Sequence, residues 1–137
     1  MLITIEKVIF LKQMSLFKNV SNLALSDLMA VSEEQTLPKG EKLISAKKQN
    51  KDVYFILSGS VDIEKNETHK TLSDQIVIGL DSAFWQAPTQ ENVYVKQQIS
   101  ALKVDRDKLY RMMALHPSLA MAILNELSIL IHKEKND

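Results

Sequence analysis

Histidines, serines beside a glycine and clustered lysines are the side chains in this sequence best suited to chemistry. His69, His116 and His132 stand alone, without the H-x-x-x-H spacing that lets two imidazoles share a metal ion. The serines on either side of Gly59 lack the G-x-S-x-G pattern of a serine-hydrolase nucleophile. The sequence therefore predicts no catalytic residue, no metal site and no cofactor. Scattered Asp and Glu residues leave a paired-carboxylate site open.

Three lysines, Lys47, Lys48 and Lys51, lie in a polar connection at residues 46–51. Such a cluster suits a phosphate-binding loop. The simpler interpretation is a solvated loop whose charges keep a sheet edge from pairing with another chain. Arginine is the side chain best shaped for bidentate phosphate binding, and residues 1–105 contain none. This absence weakens the case for a phosphate site in that part of the chain.

Length, charge and cysteine content limit the class of protein. A chain of 137 residues suits one domain with a modest core. Its 17 basic and 17 acidic residues cancel, so no overall field attracts it to nucleic acid or to an anionic membrane. It has no cysteine, and its apolar runs are shorter than a bilayer span. We therefore expect a cytoplasmic protein without a membrane segment.

The central stretch, residues 52–63, predicts a β-hairpin. Five apolar residues at 53–57 predict a buried strand, Ser58-Gly59-Ser60 predicts a turn, and Val61 and Ile63 predict a returning strand with one wet face. Further strands are predicted at residues 43–44, 76–78, 93–95 and 99–104, with turns at 38–40 and 65–72 and an irregular segment at 80–92. The predicted core contains Phe55, Leu57, Val61, Ile76, Leu102 and Val104.

Helical patterns precede and follow these strands. One helix is predicted at residues 2–12, and a second runs from a cap at Asn22 or Ser26 to about Glu34. Asp105 or Asp107 can cap a third helix, and Pro117 restarts a fourth. The fold class is therefore α+β. A single domain is expected, with N-terminal helices at 1–34, an antiparallel β-roll at 35–105 and C-terminal helices at 106–137.

The order of these segments resembles the cyclic nucleotide-binding domain family over nearly the whole chain. The LFKNV segment at residues 16–20 resembles the family's entry helices, and PKGEKLI at 38–44 resembles its first strand turn. The VYFILSGSV segment at 53–61 is similar to its central L-Y-x-I-x-x-G-x-V signature. Residues 102–109 and the His116-Pro117 pair resemble its closing strand and helices. The resemblance implies an eight-stranded antiparallel jelly-roll with flanking helices.

Residues 78–93, IGLDSAFWQAPTQENV, have the length of the family's phosphate-binding cassette, F-G-E-L-A-L-L-D-G-x-P-R-S-A-T-V. The resemblance places Leu80 where the family has the glutamate that binds the ribose, and Thr89 where it has the arginine that pairs with the cyclic phosphate. Asn92 replaces a small hydroxyl residue, and Lys47 replaces a turn glycine upstream. The ligand-binding positions of this degenerate cassette are Gly79, Leu80, Asp81, Ser82, Thr89, Gln90 and Asn92.

These replacements predict weak or absent binding of a cyclic nucleotide, because a buried phosphate would lack its cation. Three functions stay open. The first is a non-catalytic regulatory or interaction module. The second is a cAMP or cGMP sensor with a non-standard pocket, part of a larger signalling or transport protein, in which Lys96 or a lysine at 47–51 supplies the charge. The third is a scaffold piece of a longer protein. We expect no DNA-binding module.

The C-terminal helix predicts an interaction surface. Its apolar residues cover most of its circumference, which favours a homodimer or a docked partner domain along this helix. The alternative is that the helix at 2–12 folds back and covers the same surface within one chain. The predicted contact row is Leu119, Ile123, Leu127 and Leu130, with Ala120, Leu124 and Ile131 beside it.

Overall fold

The structure is a computed structural model that describes residues 4–136. It comprises two compact units, a helical unit up to Val31 and from Asp107 onward, and a strand unit Ser32–Arg106. No helix within the described residues is long and apolar enough to cross a membrane. The helices are α1 (Thr4–Lys12), a 3₁₀ helix (Ser15–Phe17), α2 (Asn22–Val31), α3 (Leu80–Trp85), α4 (Arg106–Leu115) and α5 (Pro117–Asn136).

The strand unit is a single antiparallel sheet that curls around an apolar interior. Its strand order is β1-β6-β3-β4, with β2 also paired to β6 and β5 also paired to β3. This arrangement confirms the predicted α+β class and the antiparallel roll with flanking helices. The strands are β1 (Glu33–Leu37), β2 (Lys42–Ile44), β3 (Asp52–Lys65), β4 (Thr68–Ser73), β5 (Ile76–Ile78) and β6 (Asn92–Asp105).

Six strands are found in the described residues, where the resemblance implied eight. The difference arises because β3 and β6 are each 14 residues long and join segments that the sequence predicted as separate strands. Residues 93–95 and 99–104 both belong to β6. The pairing register of β3 and β6 shifts between Ile56 and Val61, so an irregularity stands where a turn was expected.

The predicted hairpin turn at Ser58-Gly59-Ser60 is wrong. Gly59 lies inside β3 with φ of +99°, and a Cβ there would lie 2.2 Å from the Gln98 carbonyl oxygen on β6. The glycine therefore permits close approach of two strands in a bulge, a role that uses the same residue types as a turn. The chain reverses instead at Asn66-Glu67, whose positive φ values of 52° and 66° suit the short connection between β3 and β4.

Three other local predictions also differ from the structure. Helix α2 ends at Val31 instead of continuing to Glu34, because residues from Glu33 onward pair with β6. The polar segment at 65–72, predicted as a turn, contributes most of β4, and the segment at 80–92 contains α3. The predicted turn at 38–40 and the predicted strand at 76–78 are confirmed.

Four of the six residues predicted as core are buried, and of these four Val61 belongs to the apolar cluster inside the roll. Phe55, Val61, Leu102 and Val104 are buried, as expected. Leu57 and Ile76 are only half-buried. The register shift at Gly59 changes which positions of β3 face inward, so Ser60 is buried beside the apolar residues while Leu57 is not. Ser60 Oγ donates to Gln97 Oε1 at 3.2 Å, which satisfies the buried hydroxyl.

The helical unit has its own apolar core. Helix α5 contacts the 3₁₀ helix, where Phe17 is fully buried, and Leu119 and Ile123 of α5 are fully buried as well. Ser21 caps α2, since its Oγ accepts a hydrogen bond from the Ala24 N–H at 3.1 Å. The predicted restart of the helix at Pro117 is confirmed.

Candidate functional site

The candidate site is the segment between β5 and β6, which contains α3 and a connection at residues 86–91. Gly79 directly follows β5, has φ of +88° and is the N-cap of α3. A Cβ at this position would lie 2.5 Å from the Asp52 carbonyl oxygen and 2.8 Å from the Asn50 amide nitrogen. The segment can enter α3 in this way only because residue 79 is glycine.

Asn50 fixes the start of α3. Its Nδ2 donates to the carbonyl oxygens of Asp52 at 2.8 Å and Gly79 at 3.3 Å, and lies 3.1 Å from Ser82 Oγ. Its Oδ1 accepts from the Asp52 N–H at 3.1 Å. One amide therefore joins the loop at 46–51, strand β3 and the candidate ligand residue Ser82. The sequence did not single out Asn50, because its partners lie up to 32 residues away.

Arg106 holds the other end of α3. Its Nη1 donates to the carbonyl oxygen of Ala83 at 3.2 Å, and its backbone N–H donates to the Lys51 carbonyl oxygen at 2.8 Å. The sequence placed both arginines outside the cassette, and the structure brings the first of them to the backbone of the cassette helix. There the guanidinium supports the position of α3.

The connection after α3 is attached to the lysine-rich loop. The Lys47 N–H donates to the Thr89 carbonyl oxygen at 2.7 Å, and the Thr89 N–H donates to the Lys48 carbonyl oxygen at 3.3 Å. Gln49 Nε2 donates to the Gln86 carbonyl oxygen at 3.1 Å. Lys47 has φ of +68°, so it adopts the left-handed conformation at the position where the resemblance places a turn glycine.

Two of the candidate ligand positions are occupied by contacts within the chain. Leu80 is 1% exposed, so its side chain belongs to the core and leaves no acceptor for a ribose hydroxyl. Thr89 is half-buried, and its Oγ1 accepts from the Glu91 N–H at 3.2 Å. Neither side chain provides the cation or the carboxylate that the resemblance associates with its position.

Asn92, the third replaced position, links β6 to two neighbouring segments. Its Oδ1 accepts from the Ala46 N–H at 2.8 Å, and its Nδ2 donates to Glu64 Oε1 at 3.0 Å. Both the oxygen and the nitrogen of the side-chain amide are thus hydrogen-bonded, and the nitrogen's partner is a carboxylate. An anion placed at Asn92 would meet the negative charge of Glu64.

Of the four remaining candidate residues, two make contacts within the chain and two are exposed to solvent. Gly79 is buried, and Ser82 is half-buried with its hydroxyl 3.3 Å from the Gly79 carbonyl oxygen. Asp81 and Gln90 are exposed. The structure therefore brings Gly79 and Ser82 together around Asn50, and it leaves Asp81 and Gln90 at the surface.

His69, on strand β4, lies next to two acidic residues of strand β3, Asp62 and Glu64. Its Nδ1 is 2.9 Å from Asp62 Oδ2, and its Nε2 is 3.7 Å from Glu64 Oε2. The hydrogen bond to Asp62, together with the negative charge of that residue, raises the pKa of His69 above its usual value. The hairpin therefore holds a proton more readily than a free histidine would.

The other histidines are placed differently. His116 Nε2 lies 2.8 Å from Asp27 Oδ2 in the helical unit, and His132 lies on the exposed surface of α5. Among the residues described, no three His, Asp or Glu side chains converge where they could hold a metal ion. Lys96, one of the lysines considered as a source of positive charge, donates from Nζ to Thr71 Oγ1 at 3.0 Å.

The interior of the roll contains a cluster of buried apolar side chains. Residues from β2, β3, β5 and β6 form one buried cluster, and further apolar residues pack against it. Tyr54 carries a titratable group in this cluster, and its burial raises its pKa to about 12, so the phenol stays neutral. The buried members are Ile44, Tyr54, Ile56, Val61, Ile78, Val93, Val95, Ile99 and Ala101.

Comparison with known protein families gives a match. The family described as "Cyclic nucleotide-binding domain" matches residues 34–116, more than half of the chain. A search among curated protein sequences found no significant match.

Several solved structures have the same fold. The sensor domain of the transcriptional regulator DNR from Pseudomonas aeruginosa has 20% sequence identity and a TM-score of 0.78, covering 98% of this chain and 94% of that one. A cyclic nucleotide-binding domain from Methylobacillus flagellatus has 20% identity and a TM-score of 0.76, covering 96% and 79%. The catabolite activator protein of Thermus thermophilus has 13% identity and a TM-score of 0.76, covering 88% and 59%. At these identities the likeness establishes the fold.

Proposed function

Because this chain belongs to the cyclic nucleotide-binding domain family, we propose that it is a non-catalytic regulatory or interaction module that binds cyclic nucleotides weakly or not at all. The burial of Leu80 carries this proposal. A leucine inside the core, where the resemblance places a ribose-binding glutamate, leaves the hydroxyls of a bound ribose without an acceptor.

The electrostatics of the cassette support the same proposal. Charge-assisted hydrogen bonds contribute roughly 1.5–3 kcal/mol each, and Thr89 offers none to a cyclic phosphate. Asn92 is already bonded to Ala46 and to the carboxylate of Glu64. A phosphate in this position would therefore lack a cation, and it would also approach a negative charge.

A cyclic-nucleotide sensor with a non-standard pocket is the second candidate. The exposed lysines of the loop at 46–51 favour it, since that loop is hydrogen-bonded to the cassette at Thr89. The relatives include a sensor domain and a domain described as cyclic nucleotide-binding. Membership in a larger signalling or transport protein, or in a scaffold, is compatible with either candidate.

Calorimetric titration with cAMP and cGMP distinguishes these two functions. We expect no dissociation constant tighter than about 100 μM, which corresponds to roughly −5.5 kcal/mol. The variant Thr89→Arg serves as the matched comparison, because it returns one cation to the cassette without altering buried Leu80. A low-micromolar dissociation constant for the unmodified chain, or a nucleotide that copurifies with it, would establish the sensor instead.

We also propose that the module forms a homodimer along α5. Two members of the expected contact row, Leu119 and Ile123, are fully buried within the chain, so that row lies on the inward side of the helix. The outward side carries Met121, Leu124 and Ile131, spaced three and seven residues apart and all at least half exposed. An apolar stripe with this spacing suits pairing with a second helix.

Sedimentation at several protein concentrations tests the dimer. We expect a concentration-dependent dimer whose mass falls to that of the monomer in Leu124→Glu, because a charge in the contact must be desolvated without a partner. Leu23→Glu is the control, since Leu23 is 66% exposed on α2 and Leu124 is 55% exposed. A protein that stays monomeric into the high micromolar range would rule out the homodimer. A dimer that survives Leu124→Glu but not Leu23→Glu would place the contact on α2.

A further inference from the structure

The single tryptophan of the chain, Trp85, stands at the surface of the cassette. It is the last residue of α3 and is 76% exposed. Tryptophan is usually among the more buried side chains, and burying one removes about 150–250 Å² of surface from water. Tryptophan is also enriched among the residues that contribute most to protein–protein binding. An exposed tryptophan here marks a surface suited to a binding partner.

Three exposed lysines lie in the loop beside Trp85. The hydrogen bonds of Lys47 and Lys48 to Thr89, and of Gln49 to Gln86, hold this loop against the residues that directly follow the tryptophan. Lys47, Lys48 and Lys51 are all exposed. We call Trp85 and these three lysines the basic–aromatic patch.

The patch is locally positive on a chain whose total charge is zero. The loop at 46–51 contains no acidic residue, and the acidic residues that directly follow the loop and the cassette connection, Asp52 and Glu91, are half-buried. Exposed Asp81 lies one helical turn before Trp85, so one exposed carboxylate stands beside the three exposed lysines. Opposite charges attract across an interface and fix its register, so the complementary partner is acidic.

The backbone of the patch is also held in place before any partner binds. Asn50 and Arg106 fix the two ends of α3 through hydrogen bonds to Gly79, Ser82 and Ala83. The backbone that carries Trp85 therefore loses little conformational freedom when a partner binds. This preorganisation favours a specific contact over loose adhesion.

We propose that the basic–aromatic patch binds an acidic segment of a partner protein, with carboxylates facing the lysines and an apolar or aromatic side chain packing on Trp85. This inference deepens the proposed interaction role and rests on it. The patch has no arginine and only one exposed aromatic residue, which is a poor match for single-stranded nucleic acid. Its three lysines also fall short of the clusters of about four to eight that bind anionic membranes.

Trp85 provides the signal for the test, because all tryptophan fluorescence of the chain comes from it. The probe is a random copolymer of glutamate and tyrosine, with excitation chosen to avoid tyrosine. We expect a saturable blue shift of Trp85 emission that weakens as salt is raised. A copolymer of lysine and tyrosine is the charge-inverted control and should give no shift.

Two triple variants separate the patch from the total charge. Charge reversal at Lys47, Lys48 and Lys51 is expected to weaken copolymer binding at least about tenfold, a typical effect of removing a main contact. Charge reversal at exposed Lys12, Lys18 and Lys39 changes the net charge equally and should leave binding within about twofold. Trp85→Ala, followed by calorimetry, should also weaken binding at least about tenfold.

Four results would overturn the proposal. These are the absence of any shift, equal weakening by the two triple variants, unchanged affinity in Trp85→Ala, and tighter binding of oligothymidylate or of phosphatidylserine vesicles than of the acidic copolymer. Titration of cAMP in the same assay keeps the two proposals apart. Low-micromolar cAMP binding would contradict the proposed function, whereas the copolymer and the triple variants decide the patch independently.

Discussion

Gly59→Ala is expected to destabilise the protein by about 3 kcal/mol or more, a large share of the roughly 5–15 kcal/mol that stabilises a typical domain. Two effects add at this position. The φ of +99° is unfavourable for any residue with a Cβ, and the added carbon would lie 2.2 Å from the Gln98 carbonyl oxygen. Because that oxygen belongs to β6, either the strands separate or the bulge rearranges.

Gly40→Ala is the matched control for this prediction. Gly40 has a similar φ of +94°, but nothing lies within 4 Å of a Cβ placed there. It should therefore show only the conformational cost of about 1–2 kcal/mol. Urea unfolding followed by circular dichroism measures both variants. Equal losses at the two glycines would show that β6 does not press against Gly59 as the structure describes.

Leu80→Glu is expected to destabilise the protein by about 3–5 kcal/mol, since it places an unpaired carboxylate in the core. Adding Thr89→Arg would complete the glutamate–arginine pair that the family uses to bind its ligand. We expect this second change neither to recover the lost stability nor to produce nucleotide binding. The backbone of Thr89 is bonded to Lys47 and Lys48.

The pH dependence of Leu80→Glu gives an independent check. Burial raises the pKa of a carboxyl group above its unfolded value of about 4.3, so the folded variant binds a proton more readily than the unfolded chain. The loss of stability relative to the unmodified protein should therefore decrease as the pH falls toward about 5 and increase as the pH rises. Leu80→Met, which nearly conserves volume, should lose less than about 1.5 kcal/mol at either pH. Full stability of Leu80→Glu with micromolar cAMP binding would show that the pocket can open.

The roll and its flanking helices were predictable because their signals are local. Apolar runs, the glycines at turns and the proline that begins α5 each act within a few residues. Gly59 was misassigned for the same reason, since a serine–glycine–serine run suits both a turn and a bulge. Only the opposing strand, near Gln98, decides between them. The polar residues at 96–98 likewise led to the prediction of two separate strands where the structure has the single strand β6.

The candidate site was less accessible to sequence reasoning. The resemblance located the cassette, but the burial of Leu80 depends on packing that sequence does not record. Asn50 and Glu64 went unnoticed because their partners, Ser82 and Asn92, lie 32 and 28 residues away. Hydrogen bonds of this length in sequence have no local pattern, whereas the charge of the lysine loop was visible at once.

The pairing of β6 has a consequence for how the chain is made. Strand β6 is the pairing partner of β1 and β2, although both precede it by about fifty residues or more. During synthesis, the β3–β4 hairpin can close as soon as its second strand has left the ribosome, because its connection is short. The earlier strands must wait for residues 92–105 to emerge. We expect folding to be limited by this late closure, and the waiting strands to be the part of the nascent chain most in need of a chaperone.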